Sequence, residues 1–167
     1  MDNVFSTNIP NREIMGKAIE FNNSAHILYS RDHLSSPFIT CASFSVELYI
    51  KSLSAKTYFD VKDKSEHHKN LYSKSDIKGH RLINLFARIP EVLKDELRQC
   101  YLDSDYPDDY KTLDLALDHI DSSFVDFRYS FETVNYPLNM TALLKISDIF
   151  HQYVYQLYEK KSEKVHQ

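Results

Sequence analysis

Hydrophobic residues recur at intervals of three and four along most of the chain, which is the spacing of one face of a helix. The pattern predicts long helices over residues 11–30, 37–55, 111–132 and 139–160. It predicts shorter helices from His80 to Ile89 and from Pro90 to about Leu102. Ser36 is the expected N-cap of the second long helix, with Pro37 as its first helical residue.

Glycine is scarce, with only Gly16 and Gly79 in 167 residues. Tight hairpins need glycine at positive φ, so this scarcity favours helices joined by polar loops. We predict an all-α, single-domain protein, built as an up-and-down helical bundle of four long helices plus a short additional helix. Residues 56–79 are polar and are predicted to form a long loop, and the charged tail from about residue 159 is expected to fray.

The charge and cysteine content narrow the class of protein. A net charge of −4 argues against a generic nucleic-acid binder, although it leaves room for a local basic pocket. Cys41 and Cys100 form no disulfide or metal pattern, and we expect reduced thiols in a cytoplasmic protein. No metal or cofactor motif is present. The apolar stretch 37–55 contains Glu47, Lys51 and five Ser or Thr residues, so we predict no membrane partner.

Two charges interrupt the most apolar predicted helix. Glu47 and Lys51 lie four residues apart in "CASFSVELYIKSLSA", which places them on one face of that helix in the favourable order for an ion pair. They form either a narrow solvated stripe or one wall of a polar groove between helices.

A second charged residue lies in the apolar stretch "FVDFRYSFE", residues 124–132. Arg128 follows Phe124 by four residues, so it leans toward the buried side of its helix. A guanidinium keeps its charge when buried and must find a carboxylate or a phosphate. Glu132 and Glu47 are the candidate carboxylates, and an Arg–Glu clamp that only fixes helix packing is the alternative.

The stretch "GHRLINLF", residues 79–86, places His80 at the start of a predicted helix. If this helix runs antiparallel to the helix over 111–132, His80 lies near Arg128. If the helix over 37–55 runs parallel to the helix over 111–132, Lys51 lies at the same end. Otherwise His80 serves as a capping or packing residue. We expect Glu47 and Lys51 to border a polar seam shared with Arg128 and Glu132.

Together these three stretches resemble the HEPN (higher eukaryotes and prokaryotes nucleotide-binding) superfamily over residues 12–158. The most specific part is E-x-x-x-K-(A/S)-L followed by G-H-x-L-x-x-L, here Glu47, Lys51, Ser52 and Leu53, then Gly79, His80, Leu82 and Leu85. The resemblance implies a helical bundle, a homodimer and a place in toxin–antitoxin, phage-defence or RNA-processing systems. It also implies a site in which His80 and Arg128 are the catalytic candidates and Glu47, Lys51, Tyr129 and Glu132 the binding candidates.

Many HEPN proteins are metal-independent ribonucleases that carry an Arg and a His separated by four to six residues. After Arg128 those positions hold Thr133, Val134 and Asn135, so this chain lacks that pattern. Three functions follow as hypotheses. The first is binding of RNA or a nucleotide in an interhelical or dimer cleft, where Arg128 holds phosphate and Tyr129 stacks on a base. The second is a ribonuclease with a rearranged site, and the third is a non-catalytic structural protein that binds a protein partner.

Overall fold

The computed structural model describes residues 4–6, 10–32, 35–59, 71–104, 110–121, 123–128 and 138–165. Most of these residues are helical, as the sequence predicts. The helices are α1 (Arg12–Arg31), α2 (Ser36–Ser52), α3 (Leu82–Phe86), α4 (Glu91–Leu102), α5 (Leu113–Ile120), α6 (Ser123–Arg128) and α7 (Met140–Val165). The strands are β1 (Val4–Ser6), β2 (Ala55–Phe59) and β3 (Leu71–Ser75).

Helix α2 lies at the centre, and its neighbours run in opposite directions. The amide of Asn11, before α1, donates to the carbonyl of Ser52 at the end of α2 (2.9 Å), so α1 is antiparallel to α2. Helix α7 runs parallel to α2, because Ser45 contacts Ser147 and Tyr49 contacts His151 one turn later. The apolar side chains that fill the centre of α2 are fully buried: Phe38, Ile39, Ala42, Val46, Tyr49 and Ile50.

The predicted loop over residues 56–79 is wrong at 56–59 and 71–75, which form strands. Strands β2 and β3 pair antiparallel from Ala55↔Ser75 to Phe59↔Leu71, and β1 pairs with the other edge of β2. These strands alternate small and hydroxyl residues with lysine and tyrosine, so the apolar periodicity on which the prediction relied is absent from them. Residues 60–70 lie outside the described residues.

Asn11 joins the sheet to the helices. Its side-chain oxygen accepts from the amide of Ile14 and caps α1 (3.1 Å), while its Nδ2 donates to Thr57 and Ser73 at 3.0 and 2.9 Å. One buried amide therefore fixes the start of α1 against two neighbouring strands.

The single helix predicted over 111–132 is also wrong, because α5 ends at Ile120 and α6 begins at Ser123. Asp121, between them, is 2% exposed and accepts from the amide of Ile83 at 2.7 Å and from Arg81 Nε. The Asp121 carboxylate therefore connects the end of α5 with the start of α3. Residues 129–132 of the predicted helix lie outside the described residues.

Several predicted helix ends differ from those observed. Ser35, not Ser36, caps α2 by accepting from Phe38 N, and Pro90 precedes α4 as its N-cap. Helix α3 begins at Leu82, two residues after His80. Helix α7 continues to Val165 through the charged residues that we expected to fray. Within the described residues, no helix combines the length and the apolar character needed to cross a membrane.

We expect Asp121→Ala to lower the free energy of unfolding by about 1–3 kcal/mol, because it leaves the amide of Ile83 without its acceptor. Urea denaturation followed by circular dichroism measures the change. The exposed Asp118, on the same helix, supplies the control Asp118→Ala, which should change stability by less than about 0.5 kcal/mol. Equal effects of the two substitutions would contradict the role given to Asp121.

Candidate functional site

The structure brings together three of the residues singled out in the sequence. The Glu47 side chain on α2 is 1% exposed, and Lys51 Nζ donates to its Oε1 at 2.6 Å. His80, 33 residues from Glu47, places Nδ1 at 3.1 Å from both carboxylate oxygens. We call Glu47, Lys51 and His80 the Glu47 cluster.

Local conformation explains how His80 reaches α2. Gly79 has φ of 109°, a region that glycine adopts without strain and other residues rarely enter. This turn follows β3 and leads the chain back to α2 before α3 begins. Asp121 then holds Arg81 and the amide of Ile83, so His80 lies between two anchored segments.

The cluster has a buried centre and an exposed edge. The side chain of Lys51 is 17% exposed and that of His80 is 51% exposed. An ionised carboxylate only accepts hydrogen bonds, so Nδ1 of His80 carries its hydrogen and donates to Glu47. Nε2, on the opposite edge of the ring, is then a proton acceptor in the neutral ring and a donor in the protonated ring. The arrangement can therefore orient a base or hold an anion.

The remaining predicted site residues belong to a segment that is only partly described. The backbone of Arg128 ends α6, a helix that packs on α2 through a 2.6 Å hydrogen bond between Ser43 and Ser123. The side chain of Arg128, together with Tyr129 and Glu132, lies outside the described residues. The seam predicted between Glu47 and Arg128 stays a prediction, as do the roles of Arg128, Tyr129 and Glu132.

A second polar cluster, which the sequence reasoning missed, lies between α1 and α7. Asp148 accepts from His26 Nε2 at 2.7 Å and from Asn22 Nδ2 at 3.3 Å. Ser147 donates to Asn22 at 2.8 Å and also contacts Ser45 of α2. The one available signal was the four-residue spacing of Asn22 and His26, but their partners lie more than a hundred residues away.

Beside this cluster, the hydroxyl of Tyr49 lies 2.8 Å from Nδ1 of His151. Burial, aided by the charge of Asp148, raises the pKa of Tyr49, so the hydroxyl keeps its proton and donates to the ring. Burial lowers the pKa of His151, which favours the neutral ring that can accept this hydrogen bond. The hydrogen bond between Tyr49 and the neutral His151 ring therefore joins α2 to α7.

No match to this chain was found among protein-family models, curated proteins or solved structures. The resemblance to HEPN proteins therefore depends on the short motifs around Glu47, His80 and Arg128. In the part of the chain that the structure describes, no three His, Cys, Asp or Glu side chains are placed to share a metal ion.

We expect the two halves of the Glu47–Lys51 ion pair to differ in their effect on stability. Lys51→Met leaves a nearly inaccessible carboxylate with His80 as its remaining partner in the cluster, and should cost about 3 kcal/mol or more. Glu47→Gln leaves Lys51 and His80, whose side chains both reach water, and should cost about 1–3 kcal/mol. Urea denaturation of both variants measures the difference. A larger loss for Glu47→Gln would contradict the view that the carboxylate is the group most dependent on its partner.

The His151–Tyr49 pair should make stability depend on pH. Because the pKa of His151 is lowered by folding, the unfolded chain binds the proton first, and this contribution declines as pH falls below about 6.5. His151→Gln keeps an acceptor for Tyr49 but does not titrate. The stability advantage of the original protein over this variant should shrink between about pH 7 and about pH 5 in urea denaturation.

The comparison of the original protein with His151→Gln needs a control for the neighbouring groups. His26 and Asp148 also act on the His151 ring, and the Tyr155 ring lies 6.1 Å from it. The variant His26→Gln removes the neighbouring histidine and therefore tests whether the pH dependence of stability comes from His151. A difference between the original protein and His151→Gln that does not change with pH would contradict the assignment.

Proposed function

We propose that this chain is a HEPN-like up-and-down helical bundle that binds RNA or a nucleotide at the Glu47 cluster. The observation that carries the proposal is the convergence of Glu47 and Lys51 with His80, which lies on a separate segment. These are the residues of the two motifs on which the resemblance is based. Helix α6, which ends at Arg128, packs on the same helix α2 and supports including Arg128 in the site.

The charges indicate how a phosphate would be held. Lys51 is already paired with Glu47, so the pair contributes little net positive charge to a ligand. Arg128 supplies a planar fork that fits phosphate oxygens in pairs, and a protonated His80 adds a donor at Nε2. Tyr129, next to Arg128, offers a surface on which a base can stack. The buried carboxylate then acts by orienting the cations and not by touching the ligand.

A metal-independent ribonuclease is the second candidate, and the Nδ1 contact of His80 with Glu47 favours it. A carboxylate that holds one edge of a histidine fixes the tautomer whose other edge accepts a proton. In this reaction Nε2 would take the proton of a ribose 2′-hydroxyl, whose oxygen attacks the adjacent phosphorus. The bond from phosphorus to the 5′-oxygen breaks, that oxygen takes up a proton, and a cyclic phosphate remains.

Titration with a labelled ten-nucleotide single-stranded RNA and with ATP at low salt tests the binding proposal. We expect both ligands to bind the original protein, and Arg128→Glu to weaken both by about tenfold or more, because a phosphate contact becomes a repulsion. The exposed Arg88 provides the control Arg88→Glu, which makes the same change in net charge on α3–α4. His80→Ala, analysed on the same RNA by gel, should abolish any cleavage.

The outcomes separate the hypotheses. Equal affinity of Arg128→Glu and Arg88→Glu would contradict a phosphate site at Arg128. Absence of binding to both ligands would favour the third hypothesis, in which the Glu47 cluster only fixes helix packing and the chain binds a protein partner. Sedimentation of the free protein at the same concentrations tests the homodimer that the resemblance implies.

A further inference from the structure

The three-stranded sheet has one face against the helices and one face exposed. Ala55 is 5% exposed, and Thr57 and Ser73 bind Asn11 at the start of α1, so these positions form the inner face. Because strand residues alternate between faces, Lys56 and Lys74 belong to the outer face. The side chain of Lys56 is 39% exposed and that of Lys74 is exposed.

The two lysines occupy directly opposite positions, since Lys56 pairs with Lys74 in the register of β2 and β3. Like charges at opposite positions destabilise a sheet. Among the described residues Lys56 has an ion pair with Asp76 at 2.8 Å, and the structure gives none to Lys74. Asp76 offsets the charge of Lys56, so the net positive charge of this face comes mainly from Lys74.

An aromatic residue follows on the same face. Tyr58 lies two residues after Lys56, so it shares the outer face, and it is partly exposed. Its register partner on β3 is Tyr72. Lysines that neutralise phosphates beside an aromatic ring that stacks on bases are the recurring composition of surfaces that bind single-stranded nucleic acid.

The sheet follows the Glu47 cluster closely along the chain. Strand β2 begins three residues after the end of α2, and Ser54 in that turn bonds to Ser75 at the end of β3 at 3.0 Å. In the described positions 51–59 and 71–80, Asp76 is the sole acidic residue, against Lys51, Lys56, Lys74 and Lys78. Glu13, which accepts from Ser73 of β3 at 2.7 Å, and Glu47 also lie at this end, so the four lysines leave only a small excess of positive charge here, in a chain that carries −4.

We propose that the outer face of the sheet, formed by Lys56, Tyr58 and Lys74, is a binding surface for single-stranded RNA. The two lysines would hold backbone phosphates and Tyr58 would stack on a base of a strand that extends from the Glu47 cluster. The choice of RNA as ligand rests on the proposed function. The inference assigns a mononucleotide to the Glu47 cluster alone, so we expect the sheet to contribute only to longer ligands.

The test compares Lys56→Gln/Lys74→Gln with the control Lys17→Gln/Lys111→Gln, which removes two exposed lysines elsewhere. Affinity for the ten-nucleotide RNA is measured by fluorescence anisotropy across a series of salt concentrations. Loss of two phosphate contacts should reduce the slope of log affinity against log salt by about 1.4. Tyr58→Ala should weaken RNA binding about tenfold, with a smaller effect on the salt slope. Affinity for ATP should not change in any of these variants.

Each outcome distinguishes this inference from the function on which it rests. If the original protein binds RNA and the two double variants have the same salt slope, the sheet surface is overturned while the Glu47 site stands. If ATP binds as tightly as the longer RNA, the sheet adds nothing and the inference is again overturned. If the original protein binds neither ligand, both proposals fail together.

Discussion

A carboxylate buried in the central helix, α2, constrains much of this structure. An ionised carboxylate loses its hydration when buried and is tolerated only with charged or hydrogen-bonding partners. Glu47 obtains one partner from its own helix, Lys51, and must obtain the other from elsewhere in the chain. This requirement brings the segment before α3 against α2 and places His80 there. The left-handed conformation of Gly79 makes that approach feasible.

Two other acids, one buried and one partly exposed, also contribute to how the helices are joined. Asp121 is buried where α5 ends, and it holds the start of α3 through the amide of Ile83. Asp148 holds His26 and Asn22, which joins α7 to α1. Among the described residues, every buried side-chain nitrogen or oxygen has a hydrogen-bond partner. Polar contacts therefore specify which helix faces meet, while the apolar residues of α2 supply the burial that stabilises them.

The parts that the sequence predicted are those in which local spacing decides the structure. Glu47 and Lys51 share a helix turn, so their contact could be inferred from the chain alone. The break at Asp121 could not, because Leu117, Ile120, Phe124 and Phe127 continue the helical spacing across it. The contact that Asp121 makes at this point is with Ile83, which is 38 residues away. Strands β2 and β3 were missed because one of their faces carries lysine and tyrosine and the other carries small and hydroxyl residues, with large apolar residues only at the pair Phe59 and Leu71. Contacts such as His26 with Asp148 have no local signal.

Burial of Glu47 also connects stability with the proposed function. Because the carboxylate holds Nδ1 of His80, the orientation of the ring is fixed, and a preorganised group binds at a lower entropic cost than a mobile one. Lys51 is committed to the same carboxylate, so a phosphate must find its remaining charge outside the cluster. Arg128 on the α6 side and the lysines of β2 and β3 are the cations that the proposals assign to it. A protein of net negative charge can then still attract a polyanion at one end. Salt screens charges that lie farther away than a Debye length, so the local field near the ligand, and not the total charge, steers association.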